Sequence, residues 1–67
     1  MFYIIKNHCF DLKSVRNVSV DLNESKLHIH FKYGSDYSIT IRFSDPEEAR
    51  DWFNRLCFNL KECAKGE

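Results

Sequence analysis

The 67-residue chain has few of the residues that interrupt regular structure, with two glycines and one proline. Long loops are therefore not expected, and strands and helices should fill most of the chain. Net charge is also lacking, because ten Lys and Arg residues balance ten Asp and Glu residues. Proteins that hold nucleic acid mainly by charge are strongly basic, so the composition excludes that class.

Cysteines are few, and Cys9, Cys57 and Cys63 include no CxxC pair. An odd number without paired spacing predicts neither a disulfide framework nor a zinc finger. The apolar run at residues 1 to 5 is too short for the core of a signal peptide, and no run is long enough for a transmembrane helix. We therefore expect a cytoplasmic protein with free thiols and no association with a membrane.

Apolar residues are plentiful, with hydrophobic residues at 43% of the chain and aromatic residues at 15%, which is typical of a globular protein. The length allows a single domain, residues 1–67. A domain of this size buries only about 60% of the surface that its unfolded chain exposes, and it commonly gains stability from a disulfide, a metal or a partner subunit. Because the first two are not indicated, we expect a homo-oligomer or a complex with another protein.

Alternation of apolar and polar residues is the clearest pattern, and it covers residues 27 to 33 and 37 to 43. Such alternation predicts two half-buried strands joined as a hairpin. Residues 18 to 22 predict an earlier strand, and residues 2 to 6 a fourth. The stretch from 7 to 16 gives no clear prediction.

The register of these strands follows from parity, because a slip of one residue turns every side chain to the opposite face. Apolar positions must oppose apolar positions, which requires an even loop in the first hairpin and an odd loop in the second. The predicted loops are residues 23–26 and 34–36. The second loop pairs Phe31 with Ile39 and Tyr33 with Tyr37.

Residues 46 to 64 predict a helix. Asp45 is a good N-cap, Pro46 suits the first helical position, and Glu48 completes a capping box. Apolar side chains recur at helical spacing: Ala49, Trp52, Phe53, Leu56, Cys57, Leu60, Cys63 and Ala64. The predicted fold is α+β, an antiparallel sheet of three to four strands packed on one C-terminal helix in the order ββββα.

The segment from residues 38 to 53 combines a strand that ends in Phe43, a short acidic cap, Glu47-Glu48-Ala49 and Trp52. This segment resembles the end of pleckstrin-homology (PH-like) domains. The resemblance implies a binding module and a structural role for Trp52. A complete PH fold has two sheets and more strands than fit here, and the basic hairpin that binds inositol phosphates in some members has no counterpart. Lipid binding is therefore not implied.

The sheet face away from the helix carries the predicted polar side chains Asp21, His28, His30, Lys32 and Arg42. The predicted register places Asp21, His28 and Arg42 in one cross-strand row. A metal site at the two histidines would need a third ligand, for which Asp21 is the only candidate. A solvated face with an Asp21–His28 pair is the favoured interpretation, and the alternative is a surface that binds nucleic acid.

Phe58 lies opposite the apolar arc of the predicted helix, among Asn54, Arg55 and Lys61. A large aromatic residue on a charged helix face is typical of a contact hot spot. The other interpretations are simple exposure, or cover from the segment around residues 10 to 12. Nearly all other aromatic side chains are expected in the core.

Motifs of catalysis are lacking: there is no nucleophile elbow, no phosphate-binding glycine loop and no HExxH. We therefore predict no enzyme activity, no catalytic residue, no cofactor and no metal. The favoured function is a small, self-associating protein–protein interaction module that uses the helix face at Phe58 or the open sheet face. The alternative is a nucleic-acid-associated regulatory protein that uses the open sheet face.

Overall fold

The computed structural model describes residues 1–32 and 37–65. It contains five strands, a 3₁₀ turn and one helix: β1 (Phe2–Ile5), β2 (His8–Asp11), the 3₁₀ turn (Leu12–Ser14), β3 (Val15–Asp21), β4 (Lys26–Phe31), β5 (Ser38–Arg42) and α1 (Pro46–Lys65). The strands form two antiparallel sheets, β1-β2 and β3-β4-β5. The predicted α+β fold with one C-terminal helix is confirmed, and the strand that the sequence did not predict is β2.

The β1-β2 hairpin turns at Lys6 and Asn7, with Ile5 paired to His8. Lys6 has a φ of 53°, a left-handed conformation that costs a residue with a Cβ roughly 1–2 kcal/mol. Contacts of the Lys6 side chain with the end of the three-stranded sheet offset this cost. The Nζ atom donates to the carbonyl oxygen of Arg42 at 2.7 Å and lies 4.8 Å from the centre of the Phe43 ring. These contacts fasten the hairpin turn to the end of β5.

The first hairpin of the three-stranded sheet keeps the predicted parity but is offset by two residues. Val20 pairs with Leu27 and Asp21 with Lys26, so the four-residue turn is 22–25 and the predicted loop 23–26 is wrong. The side chain of Asp21 explains the earlier turn. Its Oδ1 accepts the backbone N–H groups of residues 23 and 24 at 3.0 and 3.2 Å, which starts the reversal directly after β3.

The second hairpin shows the same two-residue offset. Ile29 pairs with Ile39, and the N–H of Phe31 donates to the carbonyl oxygen of Tyr37 at 3.1 Å. The predicted pairing of Phe31 with Ile39 is therefore wrong. The observed register still places aliphatic residues opposite aliphatic residues, because a shift of two leaves both faces unchanged. The predicted loop 34–36 and residue Tyr33 lie outside the described residues.

A β-bulge near the start of β3 places an extra residue, Arg16, between the Val15–Phe31 and Asn17–His30 pairs. Because of this extra residue, odd-numbered side chains before the bulge lie on the same face as even-numbered side chains after it. Val15 is consequently buried, although it is odd-numbered and the other inward valines of β3, Val18 and Val20, are even-numbered.

The helix begins at Pro46 with Asp45 as its N-cap, as predicted. The N–H of Glu48 donates to Oδ1 of Asp45 at 2.8 Å, and the Glu48 carboxylate accepts the hydroxyl of Ser44 at 3.2 Å. Trp52 packs against the core and meets Tyr3 edge-to-face, with ring centres 6.4 Å apart. No helix among the described residues is long and apolar enough to cross a membrane.

A single cluster of buried apolar side chains joins both sheets and the helix. Its members are Ile5, Phe10, Leu12, Val15, Leu27, Ile29, Phe31, Ile41, Phe43, Ala49 and Leu56. The hairpin is therefore part of the same core, and one face of each sheet is left to solvent or to partners.

Candidate functional site

The open sheet face is the side of β3-β4-β5 that points away from the core. Its cross-strand rows are Asn17–His30–Ser38, Ser19–His28–Thr40 and Asp21–Lys26–Arg42. The predicted row of Asp21, His28 and Arg42 is wrong for His28, because the register is offset by two residues. Lys32 lies beyond the end of β4 and is not part of these rows.

The two histidines of this face have other neighbours than predicted. Nδ1 of His28 lies 3.0 Å from Oγ1 of Thr40, whereas the Asp21 carboxylate holds the turn after β3. The predicted Asp21–His28 pair is therefore wrong. In the part of the chain that the structure describes, no three His, Cys, Asp or Glu side chains form a group that could hold a metal ion.

The charges on the open sheet face are largely balanced. Lys26 forms an ion pair with Glu24 at 2.9 Å, Asp21 shares the row, and Arg42 is exposed. Basic side chains converge elsewhere, on a small cleft of about 210 Å³ that Lys13, Arg16 and Lys32 line together. Binding of nucleic acid by the open sheet face stays a prediction.

Phe58 is exposed on α1, as one interpretation of the sequence predicted, with 63% of its surface accessible. Asn54, Arg55 and Lys61 beside it are exposed as well. The segment around residues 10 to 12 does not cover it, because Phe10 and Leu12 belong to the core. Phe58 is therefore a lone apolar side chain within a polar helix face.

Arg55 and its neighbours connect this helix face to the hairpin. The guanidinium of Arg55 lies 5.4 Å from the centre of the Trp52 ring. Nδ2 of Asn59 donates to the Arg55 carbonyl oxygen at 2.8 Å and to the Tyr3 hydroxyl at 3.3 Å. These contacts give Arg55 and Asn59 roles within the fold.

The hairpin surface, which we define as Phe2, Ile4 and Cys9, was not predicted. It is the side of β1-β2 that faces away from the core. Phe2 and Ile4 are 75% and 65% exposed, and the exposed Cys9 is the direct cross-strand partner of Ile4. Residues 2 to 5 are all apolar, so no alternation in the sequence indicates which side is left uncovered.

A second unpredicted feature, the aromatic cleft, lies between the hairpin and the adjoining ends of β4 and β5. It has a volume of about 470 Å³, and its lining is Phe2, Phe10, Asp11, Ser14, Phe31 and Tyr37. Tyr37 was predicted to face the core, but it is 59% exposed. The expectation that nearly all aromatic residues other than Phe58 are buried is therefore wrong.

Asp11 supplies the charge of the aromatic cleft. Its Oδ1 accepts the backbone N–H of Lys13 at 3.1 Å and contacts the Met1 α-ammonium at 3.3 Å. The hydrogen bond from Lys13 is the main cause that lowers the pKa of Asp11 below its usual 3.8, and the α-ammonium adds to it. The carboxylate is consequently ionised at neutral pH.

Comparison with known proteins found no match, whether among family models, curated proteins or solved structures. The resemblance of residues 38 to 53 to PH-like domains therefore stays a prediction.

Proposed function

We propose that the chain is a small non-enzymatic protein–protein interaction module that associates with a second copy of itself through the hairpin surface. One observation carries the proposal: Phe2 and Ile4, two residues apart on the same side of one strand, are 75% and 65% exposed. Each apolar square ångström removed from water contributes about 25 cal/mol. Covering these two side chains is therefore favourable.

A second copy suits this surface because the contact can be self-complementary. In a two-fold symmetric dimer, the same apolar patch of each copy meets its counterpart. The chain has no net charge, so two copies do not repel each other at long range. A stable interface buries roughly 800 Å² on each partner. That is about a sixth of the 4712 Å² of accessible surface in the described structure.

The hairpin surface is favoured over the helix face at Phe58 because its apolar residues are adjacent. Phe58 stands alone among Asn54, Arg55 and Lys61, and single exposed apolar residues are common on monomeric proteins. We further propose a cytoplasmic location, because an exposed thiol such as that of Cys9 persists in a reducing compartment.

Sedimentation velocity over a concentration series tests the proposal. The wild type is expected to form a dimer, and Ile4→Thr, which keeps a β-branched residue in the strand, is expected to raise the dimer dissociation constant at least about tenfold. Leu22→Thr is the matched control, because Leu22 is also an exposed aliphatic residue but lies in the turn after β3. A wild type that stays monomeric at all concentrations would overturn the proposal.

Phe58→Ala distinguishes the two surfaces in the same experiment. The proposal expects the dimer to persist in this variant, whereas loss of the dimer in Phe58→Ala alone would move the interface to the helix. Cross-linking with a short bis-maleimide gives an independent readout, because Cys9 lies within the proposed interface. Dimers should be captured in the wild type and lost in Cys9→Ser.

A further inference from the structure

The aromatic cleft is built from four rings that three parts of the fold bring together. Phe10 and Phe31 are buried and form its floor, whereas Phe2 and Tyr37 are exposed and form its sides. The rings are inclined to one another. Phe10 meets Phe31 at 74° with centres 5.6 Å apart, and Phe31 meets Tyr37 at 53° with centres 5.2 Å apart. Phe10, Phe31 and Tyr37 are therefore not stacked in parallel around the cleft.

The electrostatics of the cleft favour a cation. The face of an aromatic ring carries partial negative charge, and a cation within about 6 Å of a ring centre is attracted to it. Asp11 adds a carboxylate at one side, and its side chain is 37% exposed. Its Oδ1 is paired with the Met1 α-ammonium at 3.3 Å, so the rings supply the main attraction and the carboxylate adds to it.

The apolar lining selects among cations. A small metal ion or a primary ammonium ion is more strongly hydrated than an alkylated one, so removing its water costs more. An alkylated ammonium ion carries its charge on methyl groups, which shed water readily and pack against rings. Aromatic cages are the usual means by which proteins recognise such ions. The volume of about 470 Å³ is also in the range of pockets for small ligands, which is roughly 300–1,000 Å³.

We propose that the aromatic cleft binds an alkylated ammonium group, with the rings around its methyl groups and the Asp11 carboxylate beside its charge. The cleft shares Phe2 with the hairpin surface, whereas Ile4 is not part of its lining. A monomeric Ile4→Thr variant therefore keeps every lining residue and should bind the ligand at least as tightly as the wild type.

Titration of the protein with choline, followed by two-dimensional NMR of the backbone amides, tests the site. Choline should cause saturable shifts at Asp11, Phe31 and Tyr37. The neutral analogue 3,3-dimethyl-1-butanol has the same shape without the charge, and it should bind at least about tenfold more weakly. Equal binding of the two compounds, or no saturable shift with choline, would overturn the proposal.

Variants of the lining separate the roles of rings and charge. Tyr37→Ala and Asp11→Asn should each weaken choline binding by about three- to thirtyfold, whereas Tyr37→Phe should retain it. Phe58→Ala is the matched control, because Phe58 is an aromatic residue of similar exposure outside the cleft. Unchanged affinity in Tyr37→Ala, with a spectrum that shows an intact fold, would contradict the assignment.

Peptides identify the source of the ammonium group. A short peptide with a trimethylated lysine that binds more tightly than choline would indicate a modified side chain of a partner protein. The same peptide with unmodified lysine should bind less tightly than the trimethylated one. Equal affinity of choline and the trimethylated peptide would indicate a free small molecule as the ligand.

Discussion

The β1-β2 hairpin and the three-stranded sheet each turn one face to the same core, but their other faces differ in chemistry. In β4, the buried Leu27, Ile29 and Phe31 alternate with half-buried His28 and His30. The outer side of the sheet is therefore polar and stable in water. In β1, residues 2 to 5 are all apolar, although alternate side chains of a strand point to opposite faces. The outer side of the hairpin is left with exposed apolar side chains, and this difference makes the hairpin the candidate contact region.

The largest effect is expected at Ile5 of β1, and its exposed neighbour Ile4 is the comparison. Ile5 is 0% exposed, so Ile5→Ala should lower the free energy of unfolding by about 2–5 kcal/mol through lost burial and a residual cavity. Ile4→Ala should change it by no more than about 0.5 kcal/mol when the wild type is monomeric. Urea unfolding followed by Trp52 fluorescence measures both. Equal losses would show that the outer side of the hairpin is covered within the monomer.

An intermediate effect is expected where the three-stranded sheet passes into α1. Asp45→Ala removes the acceptor of the Glu48 N–H and should lower the free energy of unfolding by about 1 kcal/mol. Asp51→Ala is the control, since Asp51 is exposed within the helix and has no capping position. The same urea experiment compares the variants. A loss at position 51 as large as that at 45 would contradict the capping role.

The smallest effect is expected on the open sheet face. Thr40→Val keeps the β-branched shape and removes the Oγ1 contact with His28, so the free energy of unfolding should change by no more than about 0.5 kcal/mol. Sedimentation of this variant should match that of the wild type, because one added methyl group does not create an apolar patch. A loss of several kcal/mol would show that another part of the chain packs over the open sheet face. That result would contradict the proposed difference between this face and the hairpin surface.

Most elements of the fold could be predicted from local patterns. The strands that become β1, β3, β4 and β5, the helix with its Asp45 cap, and the parity of both hairpins are correct. β2 could not be predicted, because four residues with one inward phenylalanine, Phe10, give too little periodicity. The register was missed by two residues because such a shift leaves every side chain on its original face.

The residues of the candidate sites could be predicted less well than the elements of the fold. The exposure of Phe58 follows from its position on the helical wheel. The exposure of Phe2, Ile4 and Tyr37 does not follow from any local pattern, because it depends on what packs over each strand. The aromatic cleft is harder still to predict, since it joins residues from position 2 to position 37.

The sequence by itself determined four of the five described strands and where the helix begins. It also determined which side of β3, β4 and β5 is apolar. These features depend on interactions between residues close in the chain, such as the Asp45 cap and the alternation in β4. The tertiary structure alone decided the exact strand pairs, the polar rows of the open sheet face, and the uncovered side of the β1-β2 hairpin. The physical reason is that burial is a property of distant segments in contact, and an apolar residue carries no local mark of whether another element will cover it.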